Sequence, residues 1–299
     1  MADLHEPIIL VTGSTGQVGF ELLRSLQGLG RIVAPDRQAF DLANFDQMRS
    51  VVRELKPALI VNPAAYTAVD QAETDVDAAM RMNGEAPGVL AEEARRVGAA
   101  LIHFSTDYVF DGAKDGAYVE DDPTGPLNVY GKSKLAGEQA IEQVGGKYFV
   151  FRTSWVYGTR GRNFLRTMLR LAAERSEMSI VADQVGAPTW SATIAALTAE
   201  IATRVLIDHF EDADWWRQHS GVYHLSASGF TSWAGFAEAI FASMDAGARP
   251  NVKAISSDEY PAPAKRPRNS RLSSAKLTSV FSLRPPDWHD ALKLCLSHL

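Results

Sequence analysis

Residues 8–23 read IILVTGSTGQVGFELL, an apolar run that leads through a glycine loop into an amphipathic pattern. Gly13, Gly16 and Gly19 follow the spacing G-x-x-G-x-x-G in this loop. Glycines between a strand and a helix allow a sharp turn and let a pyrophosphate approach the amide groups at the helix start. Glycines also serve plain tight turns, but the position of this loop favours a dinucleotide-binding α/β fold.

Short buried strands alternate with helical patterns from this loop to residue 155. Apolar and β-branched runs predict strands, and 3.6-residue spacing predicts helices. The predicted strands are residues 7–12, 31–35, 58–62, 100–105 and 148–152, and the predicted helices are residues 19–29, 45–55, 75–97 and 130–143. Because this alternation requires crossover connections, we predict that residues 1–155 form a Rossmann-type doubly wound parallel sheet.

The pattern becomes looser after residue 155. The predicted elements are helices at residues 163–175, 193–207 and 233–244, strands at 179–185 and 221–225, and a Pro-, Arg- and Ser-rich loop at 256–271. We therefore predict a smaller mixed α/β region over residues 156–299 that mainly binds the substrate. The segment of about residues 190–226 is predicted to pack back on the first domain.

The composition disfavours several classes of function. The chain has 46% hydrophobic and 22% charged residues with a net charge of −6, which is an ordinary globular balance. No long basic stretch is present to neutralise nucleic-acid phosphates, and no apolar run is long enough to cross a bilayer. Cys295 is the single cysteine, and the first residues lack the pattern of a signal peptide. We therefore expect a cytoplasmic protein with neither a nucleic-acid nor a membrane partner.

The end of the second predicted strand carries candidate groups for the cofactor ribose. A carboxylate at Asp36 can accept a hydrogen bond from the 2′-hydroxyl of NAD, whereas Arg37 could pair with the 2′-phosphate of NADP. Both groups are present, so the sequence leaves the choice between NADH and NADPH open. Asp41 and Leu42 could border the adenine. Small residues near Ala65, after the third strand, could admit a cofactor ribose or could simply pack closely.

Tyr130 and Lys134 form a Y-x-x-x-K pattern that places both side chains on one face of a predicted helix. A neighbouring ammonium favours the phenolate and is expected to lower the pKa of Tyr130. Thr106 follows a predicted strand, where its hydroxyl can bind a substrate carbonyl while Tyr130 protonates the oxygen. Tyr130 and Lys134 could simply lie on a surface helix, and Thr106 could simply cap a turn. The order of glycine loop, strand-end threonine and Tyr–Lys helix instead favours hydride transfer to a carbonyl.

The chain resembles the extended short-chain dehydrogenases/reductases and, among them, the dTDP-4-dehydrorhamnose reductases. The likeness extends over nearly the whole length, and its most specific motifs are STDYVFDG at residues 105–112, RTSWVYG at 152–158 and RPRNSRL at 266–272. It is supported by VNPAAYTAVD at 61–70, LNVYGKSKLAGE at 127–138 and DQVGAPT at 183–189. The resemblance implies that NADPH or NADH reduces the 4-keto group of dTDP-4-dehydro-L-rhamnose, in the synthesis of a polysaccharide precursor.

The resemblance also assigns roles to individual residues. Tyr130 is expected to donate the proton, Lys134 to tune its pKa, and Thr106 to polarise the carbonyl. Asp107 is expected beside Thr106 on the sugar, and Trp155 as a wall of the sugar site or, alternatively, a core aromatic. Asn163 and Arg271 are weaker candidates for the nucleotide-diphosphate side. The residues expected to line the cofactor are Gly13, Gly16, Gln17, Val18, Gly19, Asp36, Arg37, Asp41, Leu42, Ala65, Tyr66, Thr67, Tyr130 and Lys134.

The sequence departs from some relatives at a place where they hold magnesium with glutamates at a dimer interface. Glu21 fits one such place, but the residues after Thr189 read Trp190-Ser191-Ala192 without an acid. We therefore expect no metal site, and a homodimer stays open.

Three alternative functions share this scaffold. A dehydratase or epimerase is disfavoured because dehydratases carry a glutamate where this chain has Tyr108. Reduction of another nucleotide-linked 4-ketosugar stays open. A non-catalytic NADP-binding subunit, such as the β subunit associated with methionine adenosyltransferase, is disfavoured because Thr106, Tyr130 and Lys134 are all present.

Overall fold

β1 (Ile8–Val11) and α1 (Gln17–Ser25) flank the glycine loop in the computed structural model, which describes residues 6–245, 247 and 249–299. The other strands are β2 (Arg31–Val33), β3 (Leu59–Asn62), β4 (Ala100–Thr106), β5 (Tyr148–Thr153), β6 (Val156–Tyr157), β7 (Glu177–Val181), β8 (Val185–Gly186), β9 (Thr189–Trp190), β10 (Gly221–His224), β11 (Thr231–Ser232), β12 (Asn251–Ile255) and β13 (Asn269–Ser270). The other helices are α2 (Phe45–Leu55), α3 (Val69–Ala72), α4 (Val76–Ala79), α5 (Ala86–Val97), α6 (Val129–Val144), α7 (Phe164–Ala172), α8 (Ser191–Ile207), α9 (Ala213–His219), α10 (Trp233–Ala242), α11 (Ala275–Phe281) and α12 (Trp288–Leu296).

The main sheet has the strand order β2-β1-β3-β4-β5-β10, and each of these pairings is parallel. The chain moves from β1 to β2 in one direction and then returns past β1 to β3. This reversal opens a crevice at the carboxyl ends of β1 and β3, where parallel α/β sheets bind their ligands. The predicted doubly wound parallel sheet is confirmed.

Alternation along the strands distributes apolar side chains to both faces of the sheet. Ile9 and Val11 belong to a buried cluster with residues of α1, α8 and α11. Leu10, between them, belongs to a second cluster with residues of α2, α5 and α6. Helices therefore cover both faces of the strands, as the near-continuous apolar strand sequences require.

The C-terminal region has a separate apolar cluster, in which residues of α7, α10 and α12 surround Phe236. Its short strands pair as β7 with β12, β6 with β9, and β8 with β11 and β13. α8 lies against α1, and β10 pairs with β5 in the main sheet. The segment that holds α8 and β10 thus contacts elements of the main sheet and its helices, and the division of the chain into two domains stays a prediction.

The continuous helix predicted over residues 75–97 is wrong. The structure contains α4, a π-helical turn at Met80–Glu85 and then α5. Pro87 has no amide hydrogen, so it cannot donate to the carbonyl of Asn83 four residues earlier. That carbonyl instead lies against α6, where a Cβ on Gly137 would come within 2.1 Å of its oxygen.

The predicted loop at residues 256–271 is wrong at two places, because it contains a 3₁₀ turn at Ser257–Glu259 and the strand β13. The strand predicted at residues 179–185 is observed as β7 at Glu177–Val181, so it begins two residues earlier and ends four residues earlier than predicted. In the described part of the chain, no helix has both the length and the apolar composition needed to cross a bilayer.

Candidate active site

The parallel strands bring the predicted cofactor and catalytic residues to one edge of the sheet, the carboxyl edge. A cavity of about 1220 Å³ lies between the loop after β4 and the C-terminal region. Its wall combines apolar side chains with cations, among them Leu127, Phe164, Met168, Trp233, Tyr260, Arg175, Lys265, Arg266 and Arg268. A cavity of this size and mixed character fits a nucleotide-sized ligand with anionic groups.

α6 places Tyr130 and Lys134 at this edge. Asn128 caps the helix by accepting a hydrogen bond from the amide of Gly131 at 2.8 Å, so Tyr130 lies in the first turn. Lys134 follows one turn later, and its side chain is only 2% exposed. The amine donates to the Phe104 carbonyl oxygen at 2.6 Å and lies 3.1 Å from Nε2 of His103.

The pKa values in the catalytic pair differ from the sequence-based expectation. Burial raises the pKa of Tyr130 to about 12, with the nearby Thr106 hydroxyl acting in the opposite direction. The predicted lowering is therefore wrong for this structure, because burial of the phenol has the larger effect on its pKa. Burial also lowers the pKa of Lys134 to about 8. A protonated phenol is the form that a proton donor requires at neutral pH.

Thr106 and Asp107 lie where β4 ends. The Thr106 hydroxyl accepts from the amide of Tyr108 at 3.2 Å and donates to Asp107 Oδ1 at 3.1 Å. It therefore caps the 3₁₀ turn at Asp107–Val109 as well as lying beside Tyr130. Asp107 is 3% exposed, and burial raises its pKa to about 7 against the effect of hydrogen bonds from Ser270 and Thr106.

The glycine loop forms a cradle of the kind that a pyrophosphate needs. Gly13 has a φ of +56°, and a Cβ on Gly19 would lie 2.1 Å from the Gly13 carbonyl oxygen. Gly16 is the N-cap residue of α1 and supplies no capping side chain. The amides of Gln17 and Val18 in the first turn can therefore donate to an anion.

The candidates after β2 divide into surface groups and a core residue. Asp36 Oδ1 accepts from the amides of Gln38 and Ala39, both at 2.9 Å, which fixes this turn. Arg37 has a side chain that is 78% exposed and lies 4.0 Å from Asp41. Leu42 is buried in the apolar cluster under α2, so its side chain packs in the core.

The loop after β3 carries Ala65, Tyr66 and Thr67 and is held by a residue that the sequence analysis missed. Asn83 in the π-helical turn accepts from the Tyr66 amide at 2.8 Å and donates to its carbonyl at 2.9 Å. The side-chain nitrogen of Asn83 also donates to Ser133 Oγ of α6 at 3.0 Å. Asn83 therefore ties the loop predicted to line the cofactor to the helix that carries the catalytic pair. The predicted helical spacing gave no signal for this contact.

None of the five predicted substrate residues is among those that line the cavity: Thr106 and Asp107 lie where β4 ends, and the other three lie elsewhere. Trp155, with a φ of +48°, stacks on Trp233 at 3.6 Å between ring centroids, and it is Trp233 that faces the cavity. Asn163 caps α7 and donates to Gln17 Oε1 at 2.8 Å, which places it next to the glycine loop. Arg271 donates to Asn269 and lies over the Phe230 ring. The substrate roles of all five residues stay predictions.

Arg266 in the Pro- and Arg-rich segment is a cavity cation that is held by an ion pair with α3. Its guanidinium donates to Asp70 Oδ2 at 2.8 Å, and the amide of Ala264 donates to Asp70 Oδ1 at 3.2 Å. This pairing holds the pKa of Asp70 below its ordinary value. Residues 261–268 are therefore fixed against α3, and they bring to the cavity two arginines, Arg266 and Arg268, that the sequence analysis did not name.

Metal-ligand clusters of three or more His, Cys, Asp or Glu side chains do not occur within residues 6–245, 247 and 249–299.

A family model and the most similar named proteins that we compared agree on one family for this chain. The family model described as the RmlD substrate binding domain matches residues 7–299. The chain belongs to this family. It is 51% identical over 297 residues to a dTDP-4-dehydrorhamnose reductase of Burkholderia thailandensis, covering 97% of this chain and 98% of the relative. It is 43% identical over 299 residues to the dTDP-4-dehydrorhamnose reductase of Escherichia coli K12, covering 97% of both chains.

A solved structure extends this comparison to the RmlD fold and its cofactor. The crystal structure of dTDP-4-dehydrorhamnose reductase from Bacillus anthracis in complex with NADP superposes with a TM-score of 0.89 at 36% identity. The match covers 98% of this chain and 100% of that one. The resemblance inferred from the motifs at residues 105–112, 152–158 and 266–272 is confirmed, and so is the assignment to nicotinamide-dependent oxidoreductases.

Proposed function

We propose that the chain reduces the 4-keto group of dTDP-4-dehydro-L-rhamnose to a hydroxyl and so forms dTDP-L-rhamnose. The observation that carries this proposal is the meeting of Thr106, Tyr130 and Lys134 at the carboxyl edge of the sheet. It is supported by the 51% and 43% identity of the chain to proteins named dTDP-4-dehydrorhamnose reductase. The reduced nicotinamide supplies the hydride when it is bound. The proton donor, the groups that bind the carbonyl oxygen and the groups that bind the substrate are side chains of the protein.

Tyr130 supplies the proton that balances the hydride. The C4 carbon gains the hydride, the carbon–oxygen double bond becomes single, and the phenol proton moves to the oxygen. Because burial keeps the Tyr130 phenol protonated at neutral pH, the donor is in the required form before the reaction begins. Thr106 can donate a hydrogen bond to the same oxygen and stabilise the charge that develops on it.

Lys134 stabilises the tyrosinate that remains after proton transfer. Its ammonium lies one helical turn from Tyr130 in a buried setting, where charge interactions are stronger than in water. An ammonium carries three donors: one is directed at the Phe104 carbonyl oxygen, and a second can be directed at Nε2 of His103 when that nitrogen accepts. The third can reach the phenolate or a cofactor ribose.

The cavity supplies the groups that a dTDP-sugar requires. Arg175, Lys265, Arg266 and Arg268 can pair with a diphosphate, and the apolar wall around Phe164 can pack against a base. Tyr108 has a pKa raised above its ordinary value by burial, so it offers no base for the proton abstraction that a dehydratase performs. This environment favours simple reduction. A nucleotide-sugar substrate also fits the predicted cytoplasmic location.

The decisive experiment measures oxidation of NADPH, and separately of NADH, by the purified chain with dTDP-4-dehydro-L-rhamnose. We expect stoichiometric cofactor oxidation and formation of dTDP-L-rhamnose. Tyr130→Phe should abolish both, whereas Tyr148→Phe, at the opposite edge of the sheet, should leave them unchanged. Tight cofactor binding without oxidation by the wild type would instead support a non-catalytic subunit or a different ketosugar.

A further inference from the structure

A row of buried polar side chains crosses the main sheet beneath α6. Thr12 follows β1, Asn62 ends β3 and His103 lies in β4, and each is at most 2% exposed. Thr12 Oγ lies 2.6 Å from Asn62 Oδ1, and Asn62 Nδ2 lies 3.0 Å from His103 Nδ1. His103 Nε2 then lies 3.1 Å from the amine of Lys134. An unbroken chain of contacts therefore joins Lys134 to the residue before the first glycine of the loop.

The protonation state of Lys134 decides how this chain can be hydrogen-bonded. The pKa of His103 is held well below its ordinary value, chiefly by burial and also by the Lys134 ammonium, so the imidazole is neutral and carries one proton. An ammonium has only donors, so Nε2 must accept and the proton must lie on Nδ1. Asn62 then has to present its oxygen to Nδ1, and its amide nitrogen to Thr12.

The neutral amine fits the opposite arrangement. With Asn62 Nδ2 directed at His103 Nδ1, as the structure has it, the imidazole proton lies on Nε2 and can donate to a neutral Lys134. Asn62 Oδ1 then accepts from the Thr12 hydroxyl. A hydroxyl both donates and accepts, so Thr12 can close the chain in either arrangement. Half a turn of the Asn62 amide interconverts the two.

We propose that His103 is a positioning residue for Lys134, and that it keeps the lysine nitrogen hydrogen-bonded in both protonation states by changing tautomer together with Asn62. The proposal rests on the proposed function for its value to catalysis. After Tyr130 gives up its proton, Lys134 can return one to the phenolate and become a neutral amine until solvent reprotonates it. A partner that fits both states holds the nitrogen in place through this cycle.

The other polar groups around Lys134 cannot form a hydrogen bond with both the ammonium and the neutral amine. Glu138, one turn further along α6, favours the ammonium but is bound by Arg152 at 2.7 Å. The Phe104 carbonyl can only accept. Burial moves the pKa of Lys134 to about 8, so both of its protonation states are accessible near neutral pH. Of the two hydrogen-bond partners that the described residues give the amine, Phe104 and His103, His103 is the one that can act as donor or acceptor.

The direct test observes the wild type by NMR with ¹⁵N-labelled histidine, using His103→Gln to assign the signals. Below the lysine pKa of about 8, we expect His103 to be neutral with its proton on Nδ1, and above it with its proton on Nε2. An unchanged tautomer across this titration would overturn the proposal. This readout needs no turnover, so it is independent of whether the proposed substrate is correct.

Kinetics then separate positioning from packing. His103→Leu should lower kcat about tenfold and move its alkaline decline about one pH unit lower, because the ammonium loses an acceptor and its pKa falls. His103→Gln, whose amide can donate or accept, should restore most of both. His224→Gln, at an equally buried histidine, should leave the pH profile unchanged. Equal losses in the Leu and Gln variants with an unmoved profile would mean that His103 only fills space.

Discussion

Thr106→Val removes one hydroxyl while nearly keeping the volume of the side chain. In the structure that hydroxyl caps the amide of Tyr108, donates to Asp107 and lies beside Tyr130. Loss of a cap costs about 1 kcal/mol of stability, which corresponds to a fall in Tm of about 1.5–2 °C for a chain of this length. Loss of a hydrogen bond to the developing oxyanion costs about 10²- to 10³-fold in kcat.

The two costs are measured separately. Thermal unfolding reports the cap, and steady-state NADPH oxidation reports the oxyanion contact in kcat. Thr106→Ser retains the hydroxyl and is the matched control, so we expect it to stay within about tenfold of wild type. The role of Thr106 in binding the carbonyl would be refuted by a folded Thr106→Val variant with near-normal kcat, or by a Ser variant that is as slow as Val.

Three further predictions concern charge and space at the same edge. Asp107→Asn should stabilise the protein above pH 7 by up to about 4 kcal/mol, because burial raises the Asp107 pKa to about 7. Denaturant unfolding at several pH values should show that this gain in stability vanishes as pH falls toward 4. Arg37→Ala should raise KM for NADPH several-fold and leave KM for NADH nearly unchanged, in assays with each cofactor. Gly19→Ala should weaken cofactor binding by at least about tenfold in fluorescence titrations, since its Cβ would overlap the Gly13 carbonyl; unchanged affinity would contradict the cradle.

The Asp107 prediction follows from the sign of its pKa shift. Burial raises the pKa in the folded state, so folding favours the protonated acid. Stability associated with this group is complete below the unfolded-state pKa and is lost as pH rises toward about 7. An asparagine has no such dependence, and a difference between the two proteins that does not change with pH would contradict the argument.

The sequence predicts the sheet well because periodicity is a local signal. The apolar spacing of residues 45–55 predicts α2 with its observed bounds, and the strands at residues 58–62 and 148–152 agree with the structure to within a residue. The helices α9, α11 and α12 were not predicted, since they are short and lie in the loosely patterned C-terminal region. The π-helical turn was missed although Pro87 marks the place where normal helical bonding stops.

The site was predictable where one element supplies the whole signal. The spacing of Tyr130 and Lys134 lies within α6, and the glycine spacing lies within a single loop. The partners of Lys134 come from β4, and those of Tyr66 from a distant turn, so sequence spacing cannot reveal them. The sign of the Tyr130 pKa shift was wrong for the same reason, because burial depends on the whole fold.

The polar row under α6 nevertheless leaves a trace in the strands. Leu10 and Ile60 pack in the apolar cluster beneath α5 and α6, and Thr12 and Asn62 follow them by two residues on the same face. Leu101 and His103 repeat this step in β4, and the parallel register places Asn62 beside His103. Each strand therefore changes from apolar to polar at the same height in the sheet. Because the strands are parallel, the same apolar-to-polar change in β1, β3 and β4 places Thr12, Asn62 and His103 side by side, in a row that ends at Lys134.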